Sequence, residues 1–327
     1  MSPGLVLVVG RNGVGKTNLL EALHVATQGF SPRTRNDAQL IRFGAAAAAT
    51  SVRGTRDGTE VTARVVLAPP EAKRAEVNGS RLASPEQLRR KFATLVFTPD
   101  RLTVVKGGPA ARRAYFDRVL ARLYPARAGL PHDYLGAVAQ RNAALRRVQL
   151  RLADRRALEP WTAAVAALGA ELAAVRGATL AALGPGFAER AGELGLPGAV
   201  LAYDPEGPTI EALEARLERD LERGTTGLGP HLDDIHVGSD ARDLRQFGSQ
   251  GEQRLAVLSL LLAEAELLPH RPLLLLDDVL SELDAGRRRL LADRISAAGQ
   301  TVVTSTEAAA LPVEPAQVIH VEHGQAV

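Results

Sequence analysis

The chain contains no cysteine, and among its 327 residues it has one methionine, one tryptophan and four lysines. Without cysteine there is no disulfide, no thiolate metal site and no cysteine nucleophile, which agrees with a reducing compartment. Aromatic residues make up 4% of the chain, too few for extensive stacking platforms on which nucleic-acid bases would lie. The first apolar run, Leu5 to Val9, is too short for the core of a signal peptide. No uninterrupted apolar run approaches the roughly 20 residues of a membrane span. The expectation is a soluble cytoplasmic protein with no membrane partner.

What is present suits a globular fold. Hydrophobic residues account for 46% and charged residues for 24%, enough for a core. Net charge is +3 and the pI about 9.5, a weak pointer to nucleic acid. Distribution says more: residues 109–160 hold 11 arginines against four acids, Asp117, Asp133, Asp154 and Glu159. A solvated helix surface would read the same way. Lysine occurs only at 16, 73, 91 and 106, so a lysine inside a glycine loop stands out.

The patterning changes twice along the chain. Leu5 to Val9 predicts a buried strand ending in a glycine loop, and Lys16 to Thr27 a helix with Gly29 placed to stop it. Short strands are expected over Ala49 to Leu67, turning at Arg56-Asp57-Gly58, with a second hairpin at Asn78-Gly79 and a buried strand at Leu95 to Phe97. From Pro109 strong helix formers dominate. They predict helices over Ala110 to Leu123, Tyr134 to Arg156 and Pro160 to Leu183, the last broken by Gly184-Pro185-Gly186. A strand at Ala199 to Tyr203 and a helix at Ile210 to Arg223 follow. The α/β signals then return: a buried helix over Ser249 to Leu268, a strand at Leu273 to Leu276, a helix over Ala285 to Ala298 and a last core strand at Thr301 to Thr304. The simplest arrangement is an α/β ATPase domain over 1–108 and 226–327, with a basic, mostly helical domain inserted over 109–225.

Four motifs carry chemistry. Gly10-Arg11-Asn12-Gly13-Val14-Gly15-Lys16-Thr17 fits G-x-x-x-x-G-K-[ST], after a predicted strand and opening a predicted helix. Its glycines let successive N–H groups face ATP phosphates, Lys16 is placed for the β- and γ-phosphates, and the Thr17 hydroxyl for Mg²⁺. Leu273 to Leu276 delivers Asp277 and Asp278 to the carboxyl end of a strand, where ligands sit in α/β sheets. Asp277 is the expected Mg²⁺ ligand and Asp278 the residue that orients or deprotonates attacking water. Phe247-Gly248-Ser249-Gln250-Gly251-Glu252-Gln253-Arg254 opens a buried helix and offers a second phosphate-binding end. An ordinary helix cap is the bland reading. One nucleotide does not need two such ends from one chain, so the spacing suggests an ATP sandwich in which Ser249 and Gly251 act in trans. Ser281-Glu282-Leu283-Asp284 would link the two sites across that dimer. A hydroxyl of Thr304-Ser305-Thr306 is a weaker candidate for the γ-phosphate.

In this order the motifs are those of ABC-type ATPases, and more of the chain resembles the RecF family, a P-loop ABC-type ATPase with an inserted helical domain. The resemblance rests on Asn18-Leu19-Leu20-Glu21-Ala22 after the P-loop, and on Val104-Val105-Lys106-Gly107-Gly108-Pro109 leading into Arg112-Arg113 and Phe116-Asp117. It rests also on Gln140-Arg141-Asn142, on Gly229-Pro230-His231 before Asp233-Asp234, and on the segment from Asp277-Asp278 through Asp284 to Arg287-Arg288. It implies ATP-dependent dimerisation, slow DNA-stimulated hydrolysis, binding of DNA at single-strand/double-strand boundaries, and work with RecO and RecR in loading a recombinase.

Departures from the family pattern are visible too. The family carries a further strand before the P-loop strand, whose absence would leave apolar surface and unpaired backbone on the sheet. Leu232 stands where an arginine is usual, and Asp100-Arg101 where two acids are usual. Other readings are an SMC-like, mismatch-repair or double-strand-break repair head, a transporter ATPase subunit, or a nucleotide-binding protein without catalysis. No sustained heptads support long SMC-like arms, and intact Lys16, Thr17, Asp277 and Asp278 argue against a dead site. For DNA the first candidates are Arg112, Arg113, Arg146 and Arg147.

Overall fold

The computed structural model describes residues 1–56, 58–98, 102–204, 206–281 and 283–326. Asp57 of the expected hairpin turn, Asp100 of the loop after the Leu95–Phe97 strand, and Glu282 lie outside them. The chain forms two compact units, one of residues 1–101, 193–195 and 257–327, the other of 102–192 and 196–256.

The first unit opens with β1 (Leu5–Val9), all five residues buried. Helix α1 (Lys16–Gln28) follows and stops at Gly29, whose left-handed φ of 76° lets its N–H reach Val25 O. Strands β2 (Ala48–Arg56), β3 (Thr59–Leu67), β4 (Arg74–Val77) and β5 (Ser80–Arg81) make an antiparallel meander. Positive φ at Asn78 and Gly79 gives the tight turn between β4 and β5. Helix α2 (Leu88–Lys91) and β6 (Thr94–Phe97) close this segment.

The second unit holds α3 (Thr103–Lys106), α4 (Pro109–Leu123), α5 (Leu130–Gln149), α6 (Glu159–Glu193), β7 (Val200–Ala202), α7 (Ile210–Ala215), α8 (Leu217–Arg223), β8 (His236–Ser239), β9 (Arg242–Asp243) and α9 (Leu244–Phe247). Three of the expected helices differ. The one expected over 210–223 divides at Arg216 into α7 and α8. Helix α5 ends before Arg156, because Arg151 turns left-handed and Asp154 caps a separate short turn through Arg156 N–H. Helix α6 runs through Pro185. Leu183 and Phe187, both fully buried, anchor the helix on either side of the proline, and their burial outweighs the roughly 3 kcal/mol penalty of an interior proline. A stretch within 155–193 is long and apolar enough, by length and composition, to cross a membrane. It nevertheless carries Arg176, buried and paired with Asp117 at 2.9 Å, and its Val165 and Leu172 pack with Leu120, Tyr134 and Leu213.

Gln140-Arg141-Asn142, among the more specific segments of the resemblance, is structural. Arg141 is 0% exposed and bonds Asp220 at 2.7 Å, Thr226 and Thr162. The Asn142 amide oxygen accepts from Thr226 N–H and Oγ1, both at 2.7 Å. Arg141→Ala would strand the Asp220 carboxylate in the core. It is expected to cost about 3–5 kcal/mol in urea unfolding; a change near zero would contradict the assignment.

Helix α10 (Gln250–Leu267) leads back to the first unit, which ends with β10 (Leu273–Leu276), α11 (Ala285–Ala297), β11 (Thr301–Ser305), β12 (Gln317–Glu322) and β13 (Gln325–Ala326). The main sheet has the order β13-β12-β1-β11-β10-β6, parallel except for β13. Strand β11 is therefore not the last core strand. Ile319 and Val321 of β12 alternate inward and join Val6, Val8, Leu275 and Val302. Pairing by β11 and β12 closes both edges of β1, so the P-loop strand exposes neither apolar surface nor an unpaired ladder.

Candidate nucleotide-binding site

Strand order builds the site. Strand β11 lies between β1 and β10, so the loop after β1 and the aspartates after β10 flank the carboxyl end of β11. In the loop Gly15 adopts φ 109°, a conformation that other residues rarely take. Gly10 meets a different demand: a Cβ there would sit 2.6 Å from Val321 O. The unforeseen hairpin of β12 and β13 thus backs the P-loop, and Gly324 N–H donates to Val14 O at 2.9 Å. The alternation in Ile319-His320-Val321-Glu322 was the sequence signal for it. Arg11, Asn12 and Gly13 are exposed along the loop.

Lys16 is buried, and its ammonium donates to Gly10 O at 2.6 Å and Arg11 O at 3.0 Å. Two of its three donors hold the charge over the loop, leaving one for a further acceptor. The Thr17 hydroxyl lies 2.9 Å from Asp277 Oδ2, across a sequence separation of 260 residues. Asp277, 6% exposed, also accepts from Thr304 Oγ1 at 2.8 Å. Thr304 Oγ1 in turn accepts the Asp278 N–H at 2.8 Å. Asp278 itself is exposed and left-handed at φ 50°, with its carboxylate unengaged among the described residues. One buried carboxylate is thus fixed and its neighbour free.

The expectation for Thr304-Ser305 is corrected here. The Thr304 hydroxyl is spent between Asp277 and Asp278, and Ser305 Oγ donates to Glu307 O at 2.9 Å. Thr304 is a positioning residue. Thr304→Val would leave the Asp278 N–H without an acceptor and Asp277 short of a donor. The expected loss is about 1–3 kcal/mol of stability, restored by Thr304→Ser in the same unfolding measurement. A valine variant as stable as the parent would contradict this role.

In the second unit Ser249 and Glu252 form a reciprocal capping box: Ser249 N–H donates to Glu252 Oε2 at 2.7 Å, and Glu252 N–H to Ser249 Oγ at 3.2 Å. These bonds hold the Glu252 carboxyl below its usual range. Buried Gln253 ties down the preceding turn through Leu244 O and Gly248 O. Ser249 and Gly251 nonetheless remain exposed. Asp284, in the loop after the aspartates, caps α11 by accepting Arg287 N–H at 2.9 Å.

Of the four arginines that the sequence offers for DNA, Arg112 is a core residue and not a surface contact. It is 2% exposed, bonds Asp234 through two nitrogens at 2.7 and 2.6 Å, and donates to Gly107 O. Arg113 is half-buried and donates to Asp233 O at 2.5 Å. Arg146 and Arg147 are exposed. The Gly229–Asp234 segment belongs to the same polar core. His231 Nδ1 faces the Tyr134 hydroxyl at 2.7 Å and Nε2 faces Thr226 O at 3.1 Å, and burial lowers the imidazole pKa. Leu232 is exposed.

Comparison with known proteins fits this geometry. The RecF/RecN/SMC N terminal domain family model matches residues 1–326. A DNA replication and repair protein RecF from Frankia alni is 36% identical, over 96% of this chain and 90% of its own length. One from Anaeromyxobacter dehalogenans is 39% identical, over 94% and 87%. Among solved structures, the recombination mediator protein RecF with ATP, of the RecFOR pathway, matches with TM-score 0.85 at 28% identity, covering all of this chain and 92% of that one. An SMC head bound to a ScpA domain shares the fold, with TM-score 0.59 at 19% identity, covering 99% and 88%.

Proposed function

The chain belongs to the RecF family, and from that premise we propose that it is an ATP-dependent DNA-binding protein of recombinational repair that closes into a sandwich dimer on ATP and hydrolyses it slowly. The observation that carries this is the pairing of Thr17 with Asp277 beside the free carboxylate of Asp278. The relatives' names and the ATP of the solved neighbour support it.

In this reading Gly10 to Thr17 cradle the phosphates, and Lys16 turns its remaining donor to the β- and γ-oxygens. The Thr17 hydroxyl and Asp277 carboxylate suit Mg²⁺, which takes hard oxygen ligands and needs only one or two carboxylates beside phosphate. Such a cation would neutralise charge developing on the phosphates. Asp278 orients or deprotonates water. Ser249 and Gly251, exposed on a helix N-terminus, reach the γ-phosphate held by a second copy: the cap occupies the Ser249 and Glu252 N–H groups but leaves the Ser249 hydroxyl proton to donate. The proposed functional division is an ATPase domain over 1–108 and 226–327 with an insert over 109–225; the compact units instead group residues 226–256 with the insert.

DNA is the proposed partner, at single-strand/double-strand junctions, with RecO and RecR as further partners implied by the family. Arg146 and Arg147 are the proposed duplex contacts. Neutralising both should flatten the salt dependence of duplex binding by up to about 0.9 in log–log slope for each contact. ATP turnover measured with and without gapped duplex tests the reading as a whole. Stimulation by the gap is expected; turnover indifferent to every DNA tested would contradict it.

A further inference from the structure

Phe43 is fully exposed, at 106% of its reference surface, in a chain with seven phenylalanines and one tryptophan. Single exposed apolar residues are ordinary on protein surfaces, so exposure alone carries nothing. The backbone beneath Phe43 says more. Ala45 N–H bonds Arg42 O at 2.9 Å and Gly44 has φ 81°. That is a type II turn with Phe43 at its first central position and glycine at the second, where positive φ is required. The preceding Leu40 and Ile41 pack against the core cluster of Val25, Val65 and Leu88. A hydrogen-bonded turn on a half-buried anchor thus holds the ring out in water.

The surrounding charge is one-sided. Arg35 and Arg42 are exposed, and no side-chain hydrogen bond or ion pair engages either among the described residues. The local acid, Asp37, is neutralised by Lys73 at 2.9 Å, and Arg33 is held by Glu21 at 3.5 Å. An exposed aromatic ring next in sequence to the free Arg42, on a segment that also carries the free Arg35, complements a base and its flanking phosphates. The other exposed phenylalanine, Phe247, lies on the turn before Ser249 and belongs with the sandwich face.

We propose that the Arg42–Ala45 turn is a contact for single-stranded DNA, with Phe43 stacking on an unpaired base while Arg35 and Arg42 take adjacent phosphates. This rests on the reading that the protein binds DNA and assigns the single-stranded side of the junction to this turn.

The test compares Phe43→Ala, Phe43→Trp and the parent protein on three fluorescently labelled probes: oligo-dT, an abasic oligomer of the same length, and blunt duplex. ATP affinity is measured alongside as a check on folding. Phe43→Ala should weaken oligo-dT by about tenfold, the effect of losing one stacked base. It should leave the abasic strand, the duplex and ATP unchanged, and Phe43→Trp should restore the loss. Arg35→Gln with Arg42→Gln should weaken oligo-dT and the abasic strand alike. If Phe43→Ala binds oligo-dT as the parent does, or loses all three probes equally, this inference falls while the DNA-binding reading stands. If the parent binds none of the probes, both fall.

Discussion

Lys16→Met is expected to lower ATP affinity by about ten- to a hundredfold, since a hydrogen bond from a charged donor contributes about 1.5–3 kcal/mol and the lysine has one donor left for the phosphates. The fold should survive. Methionine matches the length and apolar stem of lysine, and the ammonium bonds only Gly10 O and Arg11 O, on a loop whose first two residues after Gly10 are exposed. Titration with a fluorescent ATP analogue reads the affinity, and circular dichroism checks the fold. Binding within threefold of the parent would remove the P-loop from the account.

The second large effect belongs to Ser249, which caps α10 and is also assigned to a second copy's γ-phosphate. These roles separate chemically. Aspartate caps a helix as well as serine does, but it sets a negative charge against the γ-phosphate. Ser249→Asp should therefore keep its thermal stability and its ATP affinity as a monomer, while turnover falls by at least about a hundredfold, in line with loss of a transition-state donor. Ser249→Arg should do the same by obstruction. If Ser249→Asp turns over as the parent does, Ser249 is a cap and nothing more. If monomer affinity collapses instead, Ser249 acts in cis and the sandwich is wrong.

Much of this site was legible because its chemistry is local. A glycine loop with one lysine between a strand and a helix leaves few alternatives, and four leucines before two aspartates announce a buried strand with a carboxylate at its end. What was not legible depends on contacts distant in sequence. Thr304 looked like a residue for the γ-phosphate, and only the placing of β11 between β1 and β10 shows its hydroxyl spent on Asp277 and Asp278. Arg112 and Arg146 are alike in an arginine-rich helical stretch. Their fates part because Asp234, 122 residues away, meets the first, while the second stays exposed. The hairpin behind the P-loop was missed because only Ile319 and Val321 of β12 face inward, a short alternation, and its pairing partner β1 lies at the other end of the chain. Pro185 misled for the converse reason: a local breaker signal yielded to the buried neighbours Leu183 and Phe187.

The central claim is that ATP joins two copies through Ser249 and Gly251. Light scattering of Asp278→Asn without nucleotide, with Mg²⁺-ADP and with Mg²⁺-ATP tests it most directly, since the amide keeps the shape of Asp278 while stalling hydrolysis. A monomer that doubles in mass only with Mg²⁺-ATP, and fails to do so when Ser249→Asp is added, is the predicted result. A mass that stays monomeric under saturating ATP, or a dimer indifferent to nucleotide and to Ser249→Asp, would contradict it.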